Sequence, residues 1–341
     1  MRKSLLALLL LAATGLVQAQ VQLKDGHPQS YTVVAGDTLW DISGKFLSQP
    51  WKWPQLWRAN PQVHDPDLIY PGDTLNLIYV DGQPRIVVNR GESRGTIKLS
   101  PRVRSTPIAD AIPTIPLGAI NAFLLNNRIM DTAEQFEAAP YIVAGNGERV
   151  LSGAGDRIYA RGSFDPGHVS YGIFRKGKTY FDPVTQEPLG INADDIGSGE
   201  VVVSEGDIAT LQMQRSTQEV RLGDRLFVSE ERAINSNFVP SEPQQPVSGT
   251  IIDVPRGVTQ IGELDVVTLD RGQRDGLAEG NVLAIYKAGE TVRDRITGEQ
   301  VKVPDERAGL LMVFRVYNRL SYAMVLHASR SLAVNDKVRN P

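Results

Sequence analysis

The sequence predicts a small α+β module of βααβ order, followed by mostly-β domains that contain an internal duplication. Three observations lead there. Apolar residues at helical spacing concentrate between Leu39 and Trp57, and short β-branched or apolar runs flank them. From about Tyr141 the pattern becomes alternating strands separated by Gly and Asp turns. Sliding the second half of the chain by 112 positions, so that Ile173 falls on Ile285, aligns several of those strands and turns.

At the N-terminus, Arg2 and Lys3 precede an apolar run from Leu5 to Leu11, and Val17-Gln18-Ala19 offers the small side chains that a signal peptidase reads. Residues 1–19 are therefore expected to be a secretory signal peptide cleaved after Ala19, because the run is shorter than the about 20 residues a membrane-spanning helix needs. The sequence has no cysteine, which excludes a disulfide framework, a thiolate metal site and a lipid-modified cysteine. An apolar fraction of 41% and a charged fraction of 22% are ordinary for a globular protein. The net charge of -3 gives no general attraction to nucleic acid or to an anionic membrane surface. The expected compartment is the periplasm.

Residues 31–79 read as one compact module. Tyr31–Val34 is a β-branched run that Ala35-Gly36-Asp37 interrupts. Asp37 or Thr38 can cap a helix by offering a side-chain oxygen to its unpaired amides. Leu39, Ile42 and Phe46 follow at i, i+3 and i+7, one buried helical face. A second helix starts near Trp53, with Pro54 in its first turn, and Asn60-Pro61 stops it. Thr74–Ile78 forms the closing strand. All four tryptophans (Trp40, Trp51, Trp53 and Trp57) fall in this module. Two are assigned to the core, and Trp51 and Trp53 are the candidates for an exposed contact with sugar or partner.

The stretches YTVVAGDTLWDIS, Asn60-Pro61 and DLIYPGDTLNL resemble the LysM family, a βααβ domain that binds N-acetylglucosamine-containing glycans of peptidoglycan. Compared with the short bacterial form, Gln49–Trp53 is an insertion. The resemblance implies a glycan groove with Gly36, Asp37, Thr38 and Leu39 on one wall and Leu68, Ile69, Tyr70 and Pro71 on the other. In such loops backbone amides can bond N-acetyl groups while apolar side chains cover the ring face. Leu39 and Ile69 read equally as core, Asp37 as a cap, and Gly36 as a turn residue.

Residues 85–140 form a connecting region, with strands expected at Arg85–Val88 and Thr96–Leu99 and one helix within Leu117–Gln135. A β-rich domain at 141–230 is the first repeat copy, 231–248 a Pro-rich linker, and 249–341 the second copy. At the 112-residue offset, Asp182–Glu187 lies over Asp294–Glu299, and Gly223–Leu226 over Asn335–Val338.

Gly172–Thr179 (GIFRKGKT) satisfies the phosphate-loop pattern G-x-x-x-x-G-K-[ST]. That loop must run into a helix whose amides cradle phosphate, whereas Tyr-Phe-Asp-Pro and then Pro188 follow here. In the second copy the lysine is replaced by Glu290. A hairpin is expected, and no nucleotide. The four histidines show no metal-binding spacing, and neither Ser-x-x-Lys nor Gly-x-Ser-x-Gly occurs. The expectation is a protein without catalytic residues, metal or cofactor.

The whole layout resembles the secretin-associated LysM proteins of type IV pili (TsaP-like), and residues 271–290 (RGQRDGLAEGNVLAIYKAGE) are similar to the C-terminal β-domain of the flagellar protein FlgT. This implies an adaptor in which LysM holds peptidoglycan while the β-domains contact an outer-membrane secretin. The alternative is a wall-remodelling enzyme or its activator, targeted by the LysM module.

Overall fold

The structure, a computed structural model, describes residues 21–57, 69–89, 113–115, 120, 123, 127–148, 151–229, 238–255 and 260–341. The expected signal peptide, the Asn60-Pro61 helix stop, Leu68 and the Thr96–Leu99 strand lie outside them. The chain divides into two compact units, Met1–Ile115 and Pro116–Pro341. Among the described residues no helix is long and apolar enough to cross a membrane.

The first unit comprises β1 (Ser30–Thr32), α1 (Leu39–Phe46), a 3-10 turn (Pro50–Lys52) running into α2 (Trp53–Trp57), β2 (Thr74–Val80) and β3 (Gln83–Asn89). Thr38 caps α1: its Oγ1 accepts from the Asp41 amide at 3.1 Å and donates to the Asp41 carboxylate at 2.6 Å. Leu39, Ile42 and Phe46 are fully buried, together with Trp53 and Leu56 of the second helix. β2 pairs with β1, Tyr31 opposite Leu75, and also with β3, Leu77 opposite Ile86. The sheet thus has a third strand beyond βααβ. Asp81 and Gly82, both with positive φ, form the hairpin that folds the expected connecting strand Arg85–Val88 back onto the module.

In the second unit, Ile120 and Phe123 are helical within Leu117–Gln135, where one helix was expected, and β4 (Asn127–Met130) and α3 (Ala133–Glu137) follow. β4 pairs with β9, and its Ile129 and Met130 are buried. The strands that follow are β5 (Tyr141–Gly145), β6 (Leu151–Ser152), β7 (Arg157–Arg161), β8 (Ser170–Phe181), β9 (Pro188–Glu205), β10 (Ile208–Ser216), β11 (Val220–Arg221) and β12 (Arg225–Val228). They pair in the order β10-β7-β5-β12-β8-β9, and β9 pairs back to β10, closing a ring of six. β4 extends the free side of β9, and β6 pairs with β11.

A second ring follows from β13 (Ser248–Asp253), β14 (Val266–Leu269), β15 (Val282–Lys287), β16 (Thr291–Arg293), β17 (Gln300–Lys302), β18 (Glu306–Val316), β19 (Ser321–Ala328) and β20 (Lys337–Arg339). Its closed order is β13-β14-β19-β18-β15-β20, with β16 and β17 as a separate hairpin. When the six ring strands of each barrel are counted in chain order, both rings read 1-2-5-4-3-6. Closure leaves no strand edge open in either ring. Each ring encloses its own apolar core, Ile158, Ile173 and Leu211 in the first and Leu269, Leu311 and Val325 in the second.

The expected Pro-rich linker is not free over its described part. Phe238 is buried, Ser241 bridges to Asn281, and Val247 joins the second core. The Asn340 side chain accepts from the Val247 amide at 2.7 Å and donates to the Gln245 carbonyl at 3.1 Å. Proline cannot donate to a ladder, so side-chain amides satisfy this backbone instead.

Candidate glycan-binding site

Two tight turns of the same construction form the site. In Val34–Asp37 the Asp37 amide donates to the Val34 carbonyl at 3.2 Å, and the Val34 amide donates to the Asp37 carboxylate at 2.9 Å. In Tyr70–Asp73 the equivalent distances are 3.0 Å and 3.1 Å. The third residue of each turn is a glycine in the left-handed region, Gly36 at φ +94° and Gly72 at φ +99°, as a type II turn demands. Val33 fastens the two turns together: its amide donates to the Asp73 carbonyl at 2.9 Å, and its carbonyl accepts from the Gly72 amide at 2.8 Å. Gly36, Asp37, Thr38 and Leu39 are thereby brought beside Ile69, Tyr70 and Pro71.

Within that set the side chains divide. Leu39 and Ile69 are fully buried and belong to the core, and Thr38 is buried as the cap of α1. The Asp37 carboxylate closes its own turn and also accepts from the Tyr31 hydroxyl at 2.9 Å. Desolvation and that carboxylate push the Tyr31 hydroxyl above its ordinary pKa. Val34, Ala35 and Gly36 are exposed, and Tyr70 and Pro71 are half-buried beside them; sequence reasoning did not single out Val34 and Ala35. All four tryptophans are buried, Trp53 edge-on to Trp57, so neither Trp51 nor Trp53 offers an exposed ring. An indole fills a small core as readily as it stacks on sugar, and the sequence cannot separate those uses.

The first amides of α1 are already engaged. Leu39 N–H donates to the Pro113 carbonyl at 3.0 Å, and Trp40 N–H donates to the Thr114 carbonyl at 3.1 Å. Thr114 and Ile115 are buried. Residues 113–115 thus act as a strap that supplies the acceptors the first turn of a helix leaves wanting. Nothing in Pro113-Thr114-Ile115 as sequence announces this, because the bonds use only backbone carbonyls.

The same turn recurs away from the site. Asp156, Asp224, Asp265 and Asp336 each accept from the amide three residues earlier, at 2.8 to 2.9 Å, and their own amides return to that residue's carbonyl. In all four turns the residue before the aspartate has positive φ (Gly155, Gly223, Leu264 and Asn335), so an Asp that closes such a turn is a structural device here, and Asp37 shares that duty.

Gly172–Thr179 lies within β8, so a continuous strand replaces the loop and helix of a phosphate cradle. A Cβ on Gly177 would sit 2.8 Å from the Asp194 carboxylate, which accounts for that glycine by close packing. The Lys178 ammonium pairs with Asp253 at 2.8 Å, and the Tyr180 hydroxyl donates to the same carboxylate at 2.9 Å. Burial, then Asp253, hold the Tyr180 hydroxyl well above its ordinary pKa. Among the described residues no group of three potential metal ligands comes together.

Residues 31–77 match the LysM domain family. An uncharacterized protein of Bacillus subtilis (strain 168), YqbP, is 52% identical over 60 residues, which covers 15% of this chain and 27% of that protein. The chain thus spans about a quarter of that relative's length. Both the turn pair and this match fall on the same stretch, and the chain carries a LysM domain at residues 31–77.

Proposed function

We propose that this is a non-enzymatic, exported peptidoglycan-binding protein that ties an outer-membrane complex to the cell wall. The observation that carries the first half is the pair of interlocked turns within the LysM domain, whose exposed face presents Val34–Gly36 opposite Tyr70 and Pro71. That face combines backbone polar groups with an aromatic and a proline ring, which suits an N-acetylated sugar. Tyr70→Ala should abolish sedimentation with purified peptidoglycan at a temperature where its melting curve shows the domain folded. Full binding by that variant, or a cleared band in a peptidoglycan gel, would overturn the reading.

The second half assigns the barrels to a secretin of the type IV pilus kind and rests on the resemblance in layout. Copurification of the secretin with the full chain, lost when Gly249–Pro341 is removed, is the expected result. We further propose that the barrels are duplicated copies. Support comes from the shared ring order, from the 112-residue offset that carries β12 onto β20 (Arg225 to Lys337), and from two turns with matching bonds. Asp182 and Asp294 each accept from the residue-plus-two amide, at 2.8 and 2.7 Å, and each amide returns to Glu187 or Glu299, at 2.9 and 2.8 Å.

A further inference from the structure

The first barrel clasps the second with an arm. β8 and β9 run past the ring and end in the Asp182–Glu187 turn, and this arm lies against the second barrel. Lys178 and Tyr180 bond Asp253, Asp182 meets Arg271 at 3.4 Å, and Glu187 receives both Arg274, at 2.8 and 3.0 Å, and Arg319, at 3.6 Å. Tyr180 and Leu189 are buried at 3% and 0% exposure. The receiving surface includes Leu320, which is fully buried.

The second barrel carries the corresponding arm, β16 and β17 with the Asp294–Glu299 turn, and nothing covers it among the described residues. All six of its strand residues are exposed. At the 112-residue offset Tyr180 becomes Val292 and Leu189 becomes Val301, and these apolar side chains stand 42% and 45% exposed. Ile296 at the tip is 95% exposed. The matching receiver on the first barrel is equally bare: the counterpart of Leu320 is Ile208, which is exposed together with Val202 and Val203. Where the clasped arm places Glu187 against Arg319, the offset puts Glu299 on the free arm and Asp207 on the free receiver, and the exposed Arg293 and Arg295 beside the Asp294 turn are the cations available to Asp207. Asp207 now bonds only the exposed Arg161 among the ion pairs described, at 2.7 Å.

We infer that the free arm of the second barrel docks onto the first barrel of a second copy of this chain, repeating between molecules the clasp made within one. Arm and receiver are different surfaces, so the contact is head-to-tail and leaves one arm and one receiver open at the ends of any assembly that does not close into a ring. Burying Val292, Val301 and Ile208 supplies the apolar part of the drive, and pairing of Asp207 with Arg293 or Arg295 offsets its repulsion from Glu299.

Sedimentation velocity of the chain lacking residues 1–19 should show a mass that rises with protein concentration. The arm variant Val292→Asp/Val301→Asp and the receiver variant Val202→Asp/Ile208→Asp change only exposed side chains, and each should remain a monomer. An equimolar mixture of the two retains one intact arm and one intact receiver, so it should form a heterodimer and stop there. A mixture that stays monomeric while the parent associates points to a different interface and overturns the inference. So does a parent that keeps the mass of one chain at every concentration, or association that survives both variants.

Discussion

Gly72→Ala and Gly44→Ala are the same chemical change in one small domain, and the structure gives them opposite signs. Gly72 sits at φ +99°, and a Cβ built there meets nothing within 4 Å. Its cost is therefore conformational and not steric: an L-residue held in the left-handed region loses about 1–2 kcal/mol. Gly44 is inside α1, where a Cβ would lie 3.7 Å from Pro50 Cγ, an ordinary contact. Alanine at that position gains roughly 0.5–1 kcal/mol by restricting the unfolded chain and filling open space. At about 4–8 °C per kcal/mol for a domain of this size, Gly72→Ala should lower the melting temperature by roughly 5–15 °C and Gly44→Ala should raise it by a few degrees. All four tryptophans lie in this unit, so their fluorescence follows its unfolding without a signal from the barrels. Gly72→Ala should also weaken peptidoglycan sedimentation well below its melting temperature, because Tyr70 and Pro71 are carried by the turn. Equal melting of the two variants, or a stabilised Gly72→Ala, would refute the assignment of a strained type II turn to this wall.

The amides of Leu39 and Trp40 should be protected in hydrogen exchange, and replacing Pro113-Thr114-Ile115 by Gly-Ser-Gly should release those two while sparing the rest of α1; loop-like exchange in the parent would remove the strap. Lys178→Ala breaks an exposed ion pair and should cost at most about 1 kcal/mol. Saturating ATP with magnesium should not shift the melting of parent or variant, whereas a true site at 100 times its dissociation constant would add about 2.7 kcal/mol. Two carboxylates should give opposite pH slopes. The Thr185 amide, with Val184 and Arg271, depresses Asp182, so its stabilisation is present above the unfolded pKa and is lost as pH falls through the folded one. Burial raises Asp270, so its contribution is present below the unfolded pKa and is lost as pH rises through the folded one. Asp182→Asn should lower, and Asp270→Asn raise, the melting temperature at neutral pH, with both differences shrinking toward about pH 3; parallel slopes would contradict these assignments.

Local chemistry made much of the LysM unit readable. The i, i+3, i+7 face of α1 and the threonine cap act within a few residues, so their pattern survives in the sequence. The third strand is legible as the run Arg85–Val88, and Asp81-Gly82 is a hairpin dipeptide that joins it to Thr74–Val80; placing it in the connecting region instead of the module is what the structure corrects. Other features depend on distant partners. β4 becomes a strand because β9 offers it an edge, and the strap at 113–115 bonds through carbonyls that every residue possesses. For the site, sequence located both turns but could not tell which of their residues face inward. Leu39 and Ile69 went to the core, while Val34 and Ala35 stay outside.

The way the second barrel is sewn shut determines how it would respond to load. β13 and β20 are neighbours, with Ser248 opposite Arg339, so the chain enters and leaves the ring at adjacent points. Tension drawn through those two points acts across the strands and strips their hydrogen bonds one after another, a low-force peel. Tension taken up along β18 or β19 acts parallel to the strands, and their bonds, from Gly309 opposite Ala328 to Val316 opposite Ser321, must yield together. This barrel would hold best when gripped on its side and would open like a zip when pulled through β13 and β20.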